Sequence, residues 1–290
     1  MHARSLLFFL CLAGIVANAA GDEKFKVVFS RDIKPGQLFR CEAKADYLAE
    51  YYLSGSIKSA KVSLNSIQVE VHGLITVVEA VQAQPSTLEI KIENFSGLEN
   101  GAKHQSDLAG KTIVIKRDSS GKTVFMLKES SSVITTQDKM FLSIIFDLGK
   151  LEQAGKTIYG YPGEIQVSGK TWMPDLELFR SQLPGVNIRP KKLDGSVTLN
   201  KRQAFDGIDC LSLSMNIDCE IDDSEKITGV WHVVFPVNNT IYGPVKKYMR
   251  ILRQRHLKLP EASPLTARQI IHSEETFRIE TILLPVKFAK

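Results

Sequence analysis

The chain has six histidines and four cysteines, the side chains most often used for metal binding and nucleophilic chemistry, so their spacing is the first test of function. His72, His104, His232, His256 and His272 stand far apart, with no His-Glu-x-x-His or Cys-x-x-Cys among them, and no Gly-x-Ser-x-Gly nucleophile elbow occurs. No cofactor, metal site or enzymatic activity is therefore expected from local motifs. A triad assembled from distant positions is recognised by geometry alone and stays open. Asp218, Glu220, Asp222, Asp223 and Glu225 supply oxygen ligands of the kind calcium takes, but without the glycine and spacing of a calcium loop, and they read as a solvated hairpin tip.

Gly-Lys-Thr occurs at Gly110, Gly121, Gly155 and Gly169. A phosphate-binding loop also needs a glycine five positions upstream, where this chain has Gln105, Lys116, Lys150 and Glu164. The tripeptides are expected to be turn glycines feeding strands, with Asp118-Ser119-Ser120-Gly121 the clearest hairpin loop.

The strongest charge feature is Lys246, Lys247, Arg250, Arg253, Arg255, His256 and Lys258, interleaved with Tyr248, Met249, Ile251, Leu252 and Leu257. It suits either an amphipathic helix or a long strand with a basic face. Such a face could meet an anionic envelope surface, whether lipid headgroups or acidic glycans, or a protein partner. As a solvated strand face it would instead discourage edge pairing. The formal net charge of +5 is too mild to indicate a nucleic-acid partner.

These groups must be positioned mainly by strands. Residues 24–30, 37–43, 61–71, 87–94, 111–116, 123–128, 196–199 and 276–284 alternate with period two, and Leu211, Leu213, Met215, Ile217, Cys219 and Ile221 form the clearest ladder. One helix is expected over Gln137 to Leu148, capped by Thr136 and stopped by Gly149, and a shorter one from Pro174 to Leu183. The fold class is mainly β: antiparallel curved sheets with a few short helices, built as one assembly or as two similar halves, residues 20–150 and 151–290. A faint repeat motivates the halves, since Val62-Ser63-Leu64-Asn65 with Gln68 and Gly73 matches Val197-Thr198-Leu199-Asn200 with Gln203 and Gly207. Gly36-Gln37-Leu38-Phe39 similarly precedes the first copy as Gly169-Lys170-Thr171-Trp172 precedes the second.

Residues 1–19 read as a signal peptide, with Arg4, the apolar run Leu6 to Val16, and Ala17-Asn18-Ala19 before the cut. Export to the periplasm or cell exterior follows, and cleavage leaves Cys41, Cys210 and Cys219, an odd number. On one strand, Cys210 and Cys219 would lie on opposite faces and about 30 Å apart. They are expected to be small semi-buried residues, a bond from Cys41 to one of them being the alternative.

Gly169-Lys170-Thr171-Trp172, the Leu183-Pro184-Gly185 turn, and the strand, Phe205-Asp206-Gly207 turn and strand from Gly195 to Glu220 resemble a pattern in uncharacterised exported β-rich bacterial proteins. Those families are often compared with curved-sheet lipoprotein carriers. The resemblance covers mainly residues 160–235 and brings no catalytic residues. It supports the fold and is compatible with a non-enzymatic exported protein that binds an apolar or amphiphilic ligand, such as a lipid. The alternative is a structural or interaction module of an envelope assembly, while an outer-membrane barrel is a more distant third reading. If the basic segment acts as one surface, the protein should be retained on an anionic matrix in a salt-sensitive way, and replacing Arg250, Arg253 and Arg255 by alanine should abolish that retention; unchanged elution would remove the idea.

Overall fold

In the computed structural model the described residues are 24–25, 33–53, 60–81, 84–128, 133–146, 148, 158–160, 166–167, 169–182, 190–237, 244–256 and 270–286. The signal peptide, Gly155 and Lys258 lie outside them. In chain order the elements are β1 (Lys24–Phe25), β2 (Leu38–Leu53), β3 (Ala60–Val81), β4 (Gln84–Glu99), β5 (Ala102–His104), β6 (Thr112–Arg117), β7 (Thr123–Leu127) and α1 (Thr136–Ile145). There follow β8 (Gln166–Val167), β9 (Thr171–Trp172), α2 (Leu176–Gln182), β10 (Lys192–Phe205), β11 (Ile208–Glu220), β12 (Glu225–Pro236), β13 (Lys246–His256) and β14 (Ile270–Pro285).

A short β1–β8 pair stands apart, and the other 12 strands make one antiparallel sheet in the order β7-β6-β4-β3-β2-β14-β13-β12-β11-β10-β9, with β5 added to β4. The sheet is open, ending on β7 and β9, so the described strands do not close into a barrel. Consecutive strands pair wherever a hairpin allows. The exceptions are β4, which pairs β6 past the short β5, and β14, which returns to β2 through a ladder from Ile270 opposite Leu53 to Pro285 opposite Phe39.

Alternation places the apolar residues of nearly every strand on one face. On the β2 side, Cys41, Ala43, Ala45, Val69, Val71, Ile75, Val77, Ile90, Ile92, Ile113 and Ile115 form one core, closed by Phe141, Leu142 and Phe146 of α1 and its C-cap. On the β10 side, Val197, Leu199, Leu213, Met215, Ile217, Cys219, Ile227, Trp231 and Val233 form a second, closed by Phe179 of α2 and by Tyr159. Two glycines make the close approaches possible. A Cβ on Gly97 would lie 2.9 Å from the Phe141 ring, and one on Gly229 would lie 2.3 Å from the Trp231 ring, which lies across that glycine.

The opposite face is polar and cross-linked between strands. Lys44 of β2 bonds Glu70 of β3 at 3.0 Å, and Lys246 of β13 meets Glu280 of β14 at 2.6 Å. Being exposed, these pairs contribute little to stability. They fix the solvent side of a register whose one-residue slip would turn every core side chain outward.

The three cysteines among the described residues form no disulfide and are buried in separate places. Cys41 lies in the first core, Cys219 in the second, and Cys210 faces the other side of β11 with Val234 and Val245. The alternative of a Cys41 disulfide therefore does not hold, because each thiol sits in a different cluster. Burial, with help from Glu42, pushes the Cys41 thiol up to about 12.

The expected turns hold at three of the four Gly-Lys-Thr sites: Gly110, Gly121 and Gly169 have φ of 80°, 83° and 82°. At the β6–β7 hairpin, Asp118 Oδ1 accepts from the Ser120 and Lys122 backbone amides. Both helices shift slightly from expectation. Thr135, not Thr136, caps α1, its hydroxyl accepting from the Asp138 amide, and the helix ends at Phe146, three residues before Gly149, as that residue turns extended to pack into the core. Asp175 caps α2 by accepting from the Leu178 amide, which moves Pro174 outside the helix.

Asp138 ties α1 to β5. Its carboxylate meets His104 Nε2 at 2.9 Å and accepts from the Thr135 hydroxyl at 2.8 Å, while the His104 ring packs 5.2 Å from the Phe141 ring. Burial works to raise the Asp138 carboxyl, but hydrogen bonds from Ser106, His104 and Thr135 outweigh it and hold the group below its ordinary value.

Two outcomes test this packing. Phe141→Ala removes a fully buried ring from α1 and should cost about 3–5 kcal/mol in urea denaturation; a loss below about 1 kcal/mol would mean that α1 does not close the first core. A carboxyl held low in the folded state contributes in full above its unfolded value, ~3.9 for aspartate, and that contribution drains away as pH falls through the lower folded value. Stability measured against pH should therefore fall more steeply in the wild type than in Asp138→Asn below about pH 4. Parallel curves would contradict the assignment.

Candidate functional site

The basic segment is a strand, and its position decides what its charges do. β13 is interior, with β12 on one side and β14 on the other, so lysine and arginine here do not serve to block an exposed edge. Alternation also divides them. Lys246, Tyr248, Arg250, Leu252, Gln254 and His256 share the polar face, while Lys247, Met249, Ile251, Arg253 and Arg255 share the face that carries both cores.

Pairing divides them further. Lys246 is held by Glu280. Arg253 turns both Nε and Nη2 onto Glu225 of β12, and Arg255 meets the same carboxylate at 3.5 Å and Glu275 of β14 at 3.4 Å. Arg250 is exposed on the polar face, directly opposite Arg278. The residues expected to form one basic surface thus occupy two faces, and replacing Arg253 would leave the Glu225 carboxylate without its main partner.

On the core face the arginines belong to an arrangement that spans four strands. Successive tiers across β13, β14 and β2 are Arg255–Ser273–Tyr51, Arg253–Glu275–Ala49, Ile251–Phe277–Tyr47, Met249–Ile279–Ala45 and Lys247–Thr281–Ala43. The first two tiers are charged and polar. The next two are apolar, with Met249 and Ile251 packing on the second core and Ile279 on the first. Met249, Ile251, Phe277 and Ile279 are only half-buried, unlike the side chains to either side of them in the two cores. The two cores therefore meet on the β13–β14 seam along an incompletely covered apolar strip, with a charged tier at one end.

The electrostatics of that tier are those of a partly desolvated network. Side-chain exposures of 22% for Arg253, 17% for Glu225 and 22% for Glu275 place these charges well below the level of surface ion pairs, and Arg255 at 35% is the most open. Burial, the Glu275 carboxylate and Tyr51 push the Tyr47 phenol above its ordinary value, against a lowering by Arg255 and Arg253. Tyr47 therefore keeps its proton and can donate a hydrogen bond. Charges kept half-buried in this way are weak evidence for stability, because their desolvation cost rivals their attraction.

Sequence reading singled out Arg253 and Arg255 but not Tyr47, Tyr51, Glu275 or Phe277. The available signal was parity: the two arginines share the odd positions of Met249 and Ile251, which a strand places on one face.

Other chemical groupings lie elsewhere. The acidic tip between β11 and β12 is dispersed: Asp222 accepts from the Ser224 amide and hydroxyl, Asp223 binds Lys191, Asp218 binds Lys226, and Glu225 turns to the arginines. On the polar face, Asn200 donates to Ser214 Oγ at 2.8 Å and that oxygen lies 2.9 Å from His232 Nδ1, while the His232 ring stacks 6.0 Å from Tyr248. This is a cross-strand polar ladder over β10, β11, β12 and β13. His256 and His272 stack at 4.4 Å on the same face, with His272 Nε2 3.2 Å from Glu274.

No family model matches the chain, and no curated protein does. Among solved structures, one similar chain is a Bacteroides fragilis NCTC 9343 protein of YmcC-like fold, provisionally named as exported. It shares 11% identity, with 90% of this chain and 100% of that chain covered, at a TM-score of 0.22. A likeness this slight informs neither the function nor the site, and the description of the fold rests on the sheet itself.

Proposed function

We propose that the protein is an exported, non-enzymatic carrier that holds an amphiphilic ligand against the β13–β14 seam. One observation carries this reading. Met249, Ile251, Phe277 and Ile279 form a half-covered apolar strip that runs into the charged tier of Arg253, Arg255, Glu225 and Glu275. A ligand with an apolar tail and a polar head matches both parts at once, and burial of the tail would remove the remaining apolar surface from water at about 25 cal/mol per Å². Apolar sites with a few well-placed polar groups are the usual form of small-ligand sites.

Export belongs to the proposal through the signal-like residues 1–19, and no helix among the described residues is long and apolar enough to cross a membrane. The edge at β9 favours carriage over assembly by strand addition. Among the described residues, β9 and the turn before it pair with β10 at Val197, Thr198 and Leu199, and that edge then carries a bulge at Asn200 followed by Lys201 and Arg202, features that oppose edge pairing.

Mass spectrometry of an organic extract of the purified full chain tests the proposal. The wild type should bring a consistent amphiphile, whereas the Met249→Glu, Ile279→Glu double variant should bring none and Arg250→Glu, on the polar face, should bring the wild-type amount. A wild type that is empty and takes up no added amphiphile would overturn carriage.

A further inference from the structure

Resting on the carrier reading, we infer that the ligand is a single-chain amphiphile with an anionic head, received by Arg255 with the Tyr47 and Tyr51 side chains beside it. The charged tier is not symmetric between its two cations. Arg253 is committed, with two of its nitrogens on one Glu225 oxygen. Arg255 shares that oxygen at 3.5 Å and touches Glu275 at 3.4 Å, both long beside the roughly 2.7–2.9 Å of a strong charge-assisted bond. A guanidinium has five N–H donors in a planar fork that suits carboxylate or phosphate. Arg255 is also the most exposed of the four charged groups, at 35%, while Glu225 is the least, at 17%. An incoming anion would therefore meet the arginine before the carboxylates.

The neighbours fit the same chemistry. Tyr51 shares the Arg255 tier across β14, and Tyr47 lies on the same face of β2 within the electrostatic reach of Arg253, Arg255 and Glu275. The Tyr47 phenol, held above its ordinary value, keeps its proton and can donate to an anion. From Arg255 to Met249 the strand rise gives about 20 Å for head and tail together. The next tier, Lys247 with Thr281, ends the apolar run. A width of one strand pair, β13 with β14, between the two cores suits one chain better than two.

The test uses the full chain and displacement of the neutral apolar fluorophore N-phenyl-1-naphthylamine by dodecanoate, dodecyl phosphate, dodecanol and dodecyltrimethylammonium, each below its micellar concentration. The two anionic probes should bind about tenfold or more tightly than dodecanol and the cationic probe, a difference of ~1.4 kcal/mol. Arg255→Gln should erase that preference, Arg255→Lys should keep part of it, and Arg250→Gln should leave it unchanged. Preference for dodecanoate over dodecyl phosphate, or the reverse, assigns the anion as carboxylate or phosphate. Equal binding of all four, or preference for the cation through the aromatic rings, overturns the anionic head while leaving carriage intact. Failure of all four to displace the fluorophore overturns the carrier reading itself. Should Arg255→Gln not fold, the head-group ranking of the wild type decides.

Discussion

Each strand of the sheet must keep its apolar residues on the same side as those of its neighbours, because a slip of one residue in any ladder turns a core row toward water. The ladder between β14 and β2 carries the most consequence. It joins strands from the two ends of the chain over a run from Ile270–Leu53 to Pro285–Phe39 and makes one sheet of what would otherwise be two. Because that ladder is in register, the core under α1 and the core under α2 lie on the same face and come together at Met249 and Ile279. The half-covered strip, the charged tier at its end, and the polar ladders on the reverse face all follow from that alignment.

The charged tier is the place where the sheet departs from its own pattern. Odd positions of β13 are core positions, and an apolar pair at 253 and 255 would extend the core to the end of the strand. Arginine there, answered by Glu225 and Glu275 on the flanking strands, replaces hydrophobic contact with a network whose desolvation cost roughly offsets its attraction. Such a substitution contributes little to stability and gives one end of an apolar strip an ionic character. An amphiphile offers a use for both ends of that strip, which is why carriage accounts for more of the site than assembly does.

Much of the fold was legible in residue types. Period-two alternation identified most strands and the antiparallel class, the glycines of the Asp118–Gly121 and Phe205–Gly207 turns identified two hairpin loops, and Met140, Phe141, Ile144 and Ile145 identified α1. Strand ends were less legible. β2 continues through Lys44-Ala45-Asp46-Tyr47-Leu48-Ala49-Glu50, residues of mostly good helix propensity, because ladders to β3 on one side and β14 on the other override a local preference worth only tenths of a kcal/mol per residue. The small Ala43, Ala45 and Ala49 are buried on the inner face of β2. The site was half legible: Arg253 and Arg255 stood out as charges, but their carboxylate partners lie 28 and 20 positions away in sequence and are adjacent only through the sheet. The basic run looked like one surface because a linear sequence does not show which face each residue takes until the segment is known to be a strand.

The central claim is that the Met249–Ile279 seam is where an apolar chain lies, and the tryptophans offer a direct probe of it. Trp231 stands directly opposite Met249 across β12 and β13 and is buried in the second core, whereas Trp172 lies on the edge strand β9. Titration with a dodecanoate brominated along its chain should quench Trp231 emission saturably in a Trp172→Phe protein, and the quenching should be reversed by unlabelled dodecanoate. Undiminished Trp231 emission at concentrations where the amphiphile is bound would place the chain elsewhere and contradict the account.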